Sequence, residues 1–195
     1  MRDTLKKLIS PLTIILIAAA LRLFPHTANF APITAMALFG GTYLNRKLAF
    51  IIPLGAMLVS DYLLLYINPF GTPILNFTKI YPPQALIHDT ILAIYASFIL
   101  SGLVGLWLKK HKSAANILAA AFFCSLQFFL LSNAAVWIAG MYDRSIVGLF
   151  QSYVAAIPFF RGTFLGDVFY TTAFFGSYEL AISLLGKRAQ VKAVA

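Results

Sequence analysis

The sequence predicts an all-α integral membrane protein with six transmembrane helices and with both the N and C termini in the cytoplasm. The first observation is composition, since 61% of the 195 residues are hydrophobic and only 11% are charged. A soluble domain typically has about 45–50% apolar and about 25% charged residues. The second observation is a series of long apolar segments, and the third is the distribution of basic residues between them. Together they indicate a chain that lies mostly in lipid.

Six apolar segments are the predicted spans of a single transmembrane domain over residues 1–195. They cover about residues 8–24, 27–44, 48–67, 85–108, 115–140 and 162–186. A helix that crosses a ~30 Å hydrocarbon core needs roughly 17–25 residues. The second segment is marginal, and Pro32 near its start suits the first turn of a helix.

Residues 145–160 are predicted to be a helix on the outer surface rather than a seventh span. The segment has sixteen residues, with Pro158 near its end. A proline inside a helical pattern usually ends or kinks the helix. The last span is therefore expected to begin near Gly162, with Arg161 on the loop before it.

The basic residues orient these spans. The inner side would hold eleven of them: Arg2, Lys6, Lys7, Arg46, Lys47, Lys109, Lys110, Lys112, Lys187, Arg188 and Lys192. The outer side would hold four: Arg22, Lys79, Arg144 and Arg161. This is the positive-inside pattern, and a re-entrant second segment or a seventh span would remove it. The net charge of +9 thus reflects topology, and no nucleic-acid partner is expected. The predicted location is the bacterial cytoplasmic (inner) membrane.

Polar residues in the spans gather toward the outer third of the membrane. At about 1.5 Å per residue, Arg22 lies about 22 Å from Lys7, and Asp61 about 21 Å from Lys47. We therefore expect Arg22 and Asp61 to be in contact. Asp89 and Asp167 each lie about 30 Å from the inside, at the outer boundary.

A charged group at mid-bilayer costs roughly 2.5–3.5 kcal/mol and usually faces the bundle interior or a water-filled cavity. The sequence therefore predicts an outward-facing cavity that binds a small molecule. Its candidate ligand-binding residues are Arg22, His26, Asn29, Asp61, Asp89, Asn133, Trp137, Arg161 and Asp167. Trp137 is included because its ring could stack on a ring-shaped ligand. The alternative is structural: Arg22 with Asp61, or Arg161 with Asp167, would only tie helices together.

Catalytic and energising motifs are absent from the sequence. It has no P-loop, no H-E-x-x-H and no G-x-S-x-G string. A single cysteine, Cys124, rules out an internal disulfide and a cysteine metal cluster. We expect no catalytic residue, no metal and no cofactor. Two other function classes stay open. One is a membrane enzyme that acts on a lipid through His88 and Asp89, and the other is a structural or assembly subunit.

Four strings carry a resemblance to a known group of proteins. They are "RLFPHTANFAPITAMALFGGTYL" (Arg22–Leu44), "PLGAMLVSDYLL" (Pro53–Leu64), "SNAAVWIAGMY" (Ser132–Tyr142) and "YVAAIPFFRGTFLGD" (Tyr153–Asp167). Over roughly residues 15–180 the chain resembles a bacterial family of small multi-pass membrane proteins of unknown function.

The architecture of that family is in turn similar to the S components of energy-coupling-factor vitamin transporters. That similarity implies six helices, an outward-facing ligand pocket, and partners in separate chains, namely a coupling membrane protein and ATPases. The first span lacks a clear A-x-x-x-A motif for docking the coupling protein. The expected function is binding or transport of a small solute, as the substrate-binding subunit of a vitamin-type uptake system.

Overall fold

The computed structural model describes residues 10–71, 73–78 and 80–194, with side chains up to residue 185. In these residues the chain forms six α-helices and a short 3-10 turn, Pro83–Leu86. The helices are α1 (Pro11–Leu21), α2 (Ile33–Tyr43), α3 (Leu48–Leu64), α4 (Ile91–Leu108), α5 (Ala114–Ile138) and α6 (Ile146–Val194). The extended structure described is one isolated bridge between Ile67 and Leu75. The predicted all-α class is confirmed. The predicted start of the first span at residue 8, and the basic residues Arg2, Lys6, Lys7 and Lys79, lie outside the described residues.

Three of the described helices are long and apolar enough to cross a membrane: α4, α5 and residues Ile146–Leu185 of α6. Only 33%, 22% and 17% of their most apolar windows are buried inside the protein. Large apolar side chains such as Ile51, Leu92 and Phe123 are more than half exposed. Such an outer surface is stable in hydrocarbon and not in water. Membrane association is thus supported, while the count of six spans and the side of each terminus stay predictions.

Helix α2 is shorter than the predicted second segment and lies at the centre of the bundle. Its eleven residues rise about 16 Å, about half the hydrocarbon thickness. The helix starts only after Pro32 because Asn29 has a left-handed φ of 62°, which interrupts a helix. Every residue from Thr34 to Thr42 is buried, and α2 contacts all five other described helices.

Glycines let α2 and α4 touch through their backbones. A Cβ atom added to Gly41 would lie 2.3 Å from the carbonyl oxygen of Gly102, and one added to Gly105 would lie 2.4 Å from that of Leu38. The Thr42 hydroxyl donates a hydrogen bond of 3.1 Å to the Gly105 carbonyl. Small residues at helix crossings in membranes permit this close approach.

Helix α6 runs without interruption through Pro158 and Arg161. The prediction that the chain is not helical at Arg161 is wrong. In a membrane helix the backbone groups freed by a proline are satisfied by neighbouring helices or by local adjustment, so the helix continues.

Two contacts with α5 show that α6 is inclined to it in this region. The Ser152 hydroxyl donates to the Asn133 carbonyl at 2.9 Å, and the Ser125 hydroxyl donates to Asp167 at 2.6 Å. These contacts are about 12 Å apart along α5 but about 22 Å apart along α6. Pro158 lies between them, at the place where a bend is expected.

We expect Gly105→Ala to destabilise the bundle by about 3 kcal/mol, because the added methyl group meets backbone atoms that cannot move aside. The control is Gly55→Ala on α3, where a Cβ atom meets nothing within 4 Å. That change should be neutral or stabilise by about 0.5–1 kcal/mol, since alanine favours a helix interior. Thermal unfolding in detergent measures both, and equal melting temperatures for the two variants would contradict the close α2–α4 contact.

Candidate functional site

The predicted contact between Arg22 and Asp61 is confirmed. Arg22 caps the C-terminus of α1, and its Nη2 lies 2.6 Å from Asp61 Oδ1 on α3. Its Nη1 donates to the Ser60 hydroxyl and to the Met57 carbonyl, the latter at 3.3 Å. The second carboxylate oxygen, Asp61 Oδ2, accepts a hydrogen bond of 2.9 Å from the Tyr95 hydroxyl on α4. We call Arg22, Asp61 and Tyr95 the charged network; it joins α1, α3 and α4.

The two ends of the ion pair differ in exposure. The Arg22 side chain is 8% exposed and the Asp61 side chain 22%. The guanidinium group is therefore enclosed, and its position at the C-terminus of α1 is favourable because the helix dipole is negative there. The carboxylate is the group that a molecule from outside the bundle can reach.

A second polar group lies around Asp167, where α2, α5 and α6 meet. The Asp167 side chain is on α6, and the residue is 2% exposed. Its Oδ2 accepts a hydrogen bond from the Ser125 hydroxyl on α5, and the Thr34 side chain on α2 lies close to the carboxyl group. Among the described residues no lysine or arginine forms an ion pair with it. The Arg161–Asp167 ion pair of the structural alternative is therefore not formed in the described residues.

The height of Asp167 within the protein can be compared with that of Asp61. The sequence prediction counted from Lys187 and placed Asp167 at the outer boundary, and its depth in a membrane stays a prediction. In the structure Glu179 on the same helix pairs with Lys112. Ser125, the partner of Asp167, follows Lys112 by thirteen residues, which is about 20 Å. Asp167 is thus at a height similar to that of Asp61.

A third set of polar side chains connects α4 and α5. The Gln127 Nε2 donates to the Ser97 carbonyl at 3.0 Å and to the Ser101 hydroxyl at 3.2 Å. Gln127 Oε1 and Thr171 Oγ1 are buried and have no hydrogen-bond partner among the described residues. Unpaired polar atoms are costly in a bundle interior, so a water molecule or a solute that bonds to these two atoms would be stabilised there.

Sequence reasoning missed this uncharged set. Its members are Thr34, Ser97, Ser101, Ser125, Gln127 and Thr171. Serine and threonine occur on lipid-facing and buried surfaces alike, so each residue alone carries little information. The four-residue spacing of Ser97 and Ser101 was the available signal, since it places both on one face of α4.

The loop before α2 lies against α6 just above Asp167. A Cβ atom on Gly162 would lie 2.8 Å from the Ala28 carbonyl oxygen, and one on Gly166 would lie 3.1 Å from the Phe30 Cα. Because the two glycines are four residues apart, they lie on the same face of α6, and their missing side chains leave room for the backbone of the loop. Asn29 lies beside Gly162, and the neighbouring Arg161 is exposed on the helix.

In three of the other predicted residues, a polar side-chain atom lies within hydrogen-bonding distance of a nearby backbone carbonyl. His26 Nδ1 lies 2.7 Å from the Phe24 carbonyl, and Asn133 Nδ2 donates to the Phe129 carbonyl at 2.8 Å. Trp137 Nε1 donates to the Asp143 carbonyl at 2.9 Å. Asp89 is exposed in the loop before α4. Of the nine predicted residues, Arg22 and Asp61 are the two that the described hydrogen bonds and ion pairs bring together.

Two cavities of about 420 Å³ lie at other places on the surface. One is between the start of α5 and the C-terminal half of α6, and the other is between α1 and α3. Neither is lined by any of the nine predicted residues. The outward-facing cavity therefore stays a prediction.

Comparison with known proteins gives one match. The model of a family of unknown function, DUF6580, matches residues 2–191. No curated protein and no solved structure matches the chain. The expected relation to an uncharacterised family is confirmed, and the expected likeness to S components finds no support in these comparisons.

We expect Arg22→Ala and Asp61→Ala each to lower the free energy of unfolding by about 3–5 kcal/mol, because each leaves a buried charge without its partner. The double variant should lose less than the sum, since both changes remove the same interaction. Thermal or denaturant unfolding in detergent measures the stability of the two single variants and of the double variant. Tyr95→Phe removes one hydrogen bond to Asp61 and keeps the ion pair. It should lower the free energy of unfolding by about 1.5–3 kcal/mol, the range for a hydrogen bond to a charged group. Strict additivity of the two alanine changes would show that Arg22 and Asp61 do not interact.

Proposed function

We propose that this chain, which belongs to the DUF6580 family of unknown function, binds a small solute at the charged network and moves it through the helix bundle. The observation that carries the proposal is an ion pair enclosed by three helices of an apolar bundle, with Asp61 as its accessible end. Ionisable residues inside membrane bundles are rare and usually line substrate or ion pathways.

The chemistry of the accessible end indicates the kind of solute. An ionised carboxylate only accepts hydrogen bonds, and Asp61 already accepts one from Arg22 and one from Tyr95. A solute that competes for these oxygens must carry a donor, such as an ammonium, hydroxyl or amide N–H group. Arg161 is exposed on α6, and we assign it to an anionic group of the same solute, since a guanidinium suits carboxylate and phosphate.

The polar interior beyond α4 supports movement through the bundle. Asp61 lies about 21 Å from Lys47, and Ser125 lies about 20 Å from Lys112, so the charged network and Asp167 are at similar heights. Gln127 and Thr171 add buried polar atoms that have no hydrogen-bond partner in the part of the chain that the structure describes. A purely structural bundle gains nothing from such atoms, because an unpaired buried polar group costs free energy.

The proposed setting is the bacterial inner membrane, with the solute bound from the outer side. The chain has no P-loop, so an ATP-driven cycle would need ATPases and a coupling membrane protein in separate chains, as in the S-component systems. The lipid-enzyme alternative is less well supported, because His88 Nδ1 contacts the Thr90 hydroxyl at 3.1 Å and both His88 and Asp89 are exposed.

The test is to purify the protein from native membranes and identify retained small molecules by mass spectrometry. We expect a solute with a hydrogen-bond donor in the wild type, and its loss in Asp61→Asn and in Tyr95→Phe. The matched control is Asp143→Asn, which changes an exposed aspartate in the loop between α5 and α6 and should retain the solute.

Tyr95→Phe keeps the ion pair, so it tests binding even when Asp61→Asn is poorly folded. The proposal is overturned if the wild type retains no solute. It is also overturned if folded Tyr95→Phe and Asp61→Asn variants retain every solute that the wild type retains.

A further inference from the structure

The cavity between α5 and α6 is a groove with one polar end. It has a volume of about 420 Å³. Its polar end is formed by Lys112, Ser113 and Glu179, and its walls by Ile117, Leu118 and Phe175, among others. Pockets for organic ligands have volumes of about 300–1,000 Å³ and are mostly apolar with a few polar groups. The groove has the size and the polarity of a site for an amphipathic molecule.

Gly176 creates the free space in this groove. A Cβ atom on Gly176 would meet nothing within 4 Å, in contrast to the glycines at the α2–α4 contact. Phe175, which also lines the groove, packs against the core, with its ring 5.3 Å from that of Phe39 on α2. The wall at Gly176 is therefore open while the floor of the groove is fixed by the core.

The charges around the polar end favour an anion. Glu179 is paired with Lys112 and accepts a hydrogen bond from the Tyr43 hydroxyl, so its charge is compensated within the protein. Lys109 and Lys110 are exposed at the end of α4, and Ser113 caps the N-terminus of α5. Lys109 Nζ donates to the Leu44 carbonyl at 2.8 Å, so Lys110 and the remaining donors of Lys112 are the cationic groups beside a helix end that is positive because of the helix dipole.

We infer that this groove binds an anionic phospholipid of the cytoplasmic leaflet. The phosphate lies at Lys112 and the start of α5, where Lys112 has donors to spare beyond its bond to Glu179. An acyl chain runs along Ile117 and Leu118 and over Gly176. Basic pockets between transmembrane helices on the cytoplasmic side suit anionic lipid headgroups. The inference rests on the predicted orientation of residues 109–112 and does not depend on the proposed solute.

The groove between α1 and α3 supplies an internal comparison. It has the same volume of about 420 Å³, and among the described residues Ser60 is the one polar side chain that lines it. Ser60 is already hydrogen-bonded to Arg22 and to the Met57 carbonyl. This groove offers no group that distinguishes one headgroup from another. Gly55 lines it and, like Gly176, has open space around its Cβ position.

The experiment is a titration of the detergent-purified full chain with phosphatidylglycerol and with phosphatidylcholine, read by native mass spectrometry. The wild type should bind phosphatidylglycerol preferentially. Gly176→Leu should lose the bound lipid because the side chain fills the groove. Lys112→Gln should bind phosphatidylglycerol about fivefold more weakly, as expected for one lysine near a membrane surface, with phosphatidylcholine unchanged.

Gly55→Leu is the matched control, since it fills the other groove and should leave the preference intact. Equal binding of the two lipids by the wild type overturns the inference, and so does wild-type affinity for phosphatidylglycerol in Lys112→Gln or in a folded Gly176→Leu variant. The probe is a phospholipid and not the solute, so failure here is distinguishable from failure of the proposed function.

Discussion

The structure depends on how closely the short helix α2 approaches its neighbours. An eleven-residue helix rises only about 16 Å, about half the hydrocarbon thickness, so its ends must be covered by the helices and loops around it. Gly41 on α2 and Gly105 on α4 allow this because their backbones are in contact. Association of helices in lipid relies on such packing, since burial of apolar surface contributes little when the solvent is itself apolar. The position of α2 then fixes the helices around it.

Both ends of α2 hold α6 in register. The Thr34 side chain at its start lies close to Asp167, and the Tyr43 hydroxyl at its end bonds to Glu179. These contacts place Asp167 within the bundle and Glu179 at the edge beside Lys112. The same register puts Gly176 between them on the outer side of α6, where it opens the groove proposed for a lipid. A polar interior and an amphipathic groove thus follow from one packing arrangement.

The sequence was sufficient to predict the Arg22–Asp61 contact, but it was insufficient to predict the hydrogen-bond partner of Asp167. Two opposite charges at equal depth in an apolar bundle have few other partners, so counting residues from the nearest inner lysine gave the correct pair. The same count could not give the partner of Asp167, because Ser125 is uncharged and carries no depth signal. Pro158 was misread because a proline that ends a helix in water is tolerated in a membrane helix. The serine and glutamine contacts of α4 and α5 were missed because uncharged residues give no depth signal.

The two proposals share one requirement, which is the orientation of the bundle. The charged network must be reachable from outside, and Lys109, Lys110 and Lys112 must face the cytoplasmic leaflet. The most direct measurement is labelling of single cysteines in intact cells with a membrane-impermeant maleimide, in a Cys124→Ser background; Cys124 is fully buried. Asn76 and Lys110 are both exposed and lie on opposite predicted sides. Asn76→Cys should be labelled in intact cells, and Lys110→Cys only after the membrane is permeabilised. The reverse pattern would contradict the orientation and with it both proposed sites.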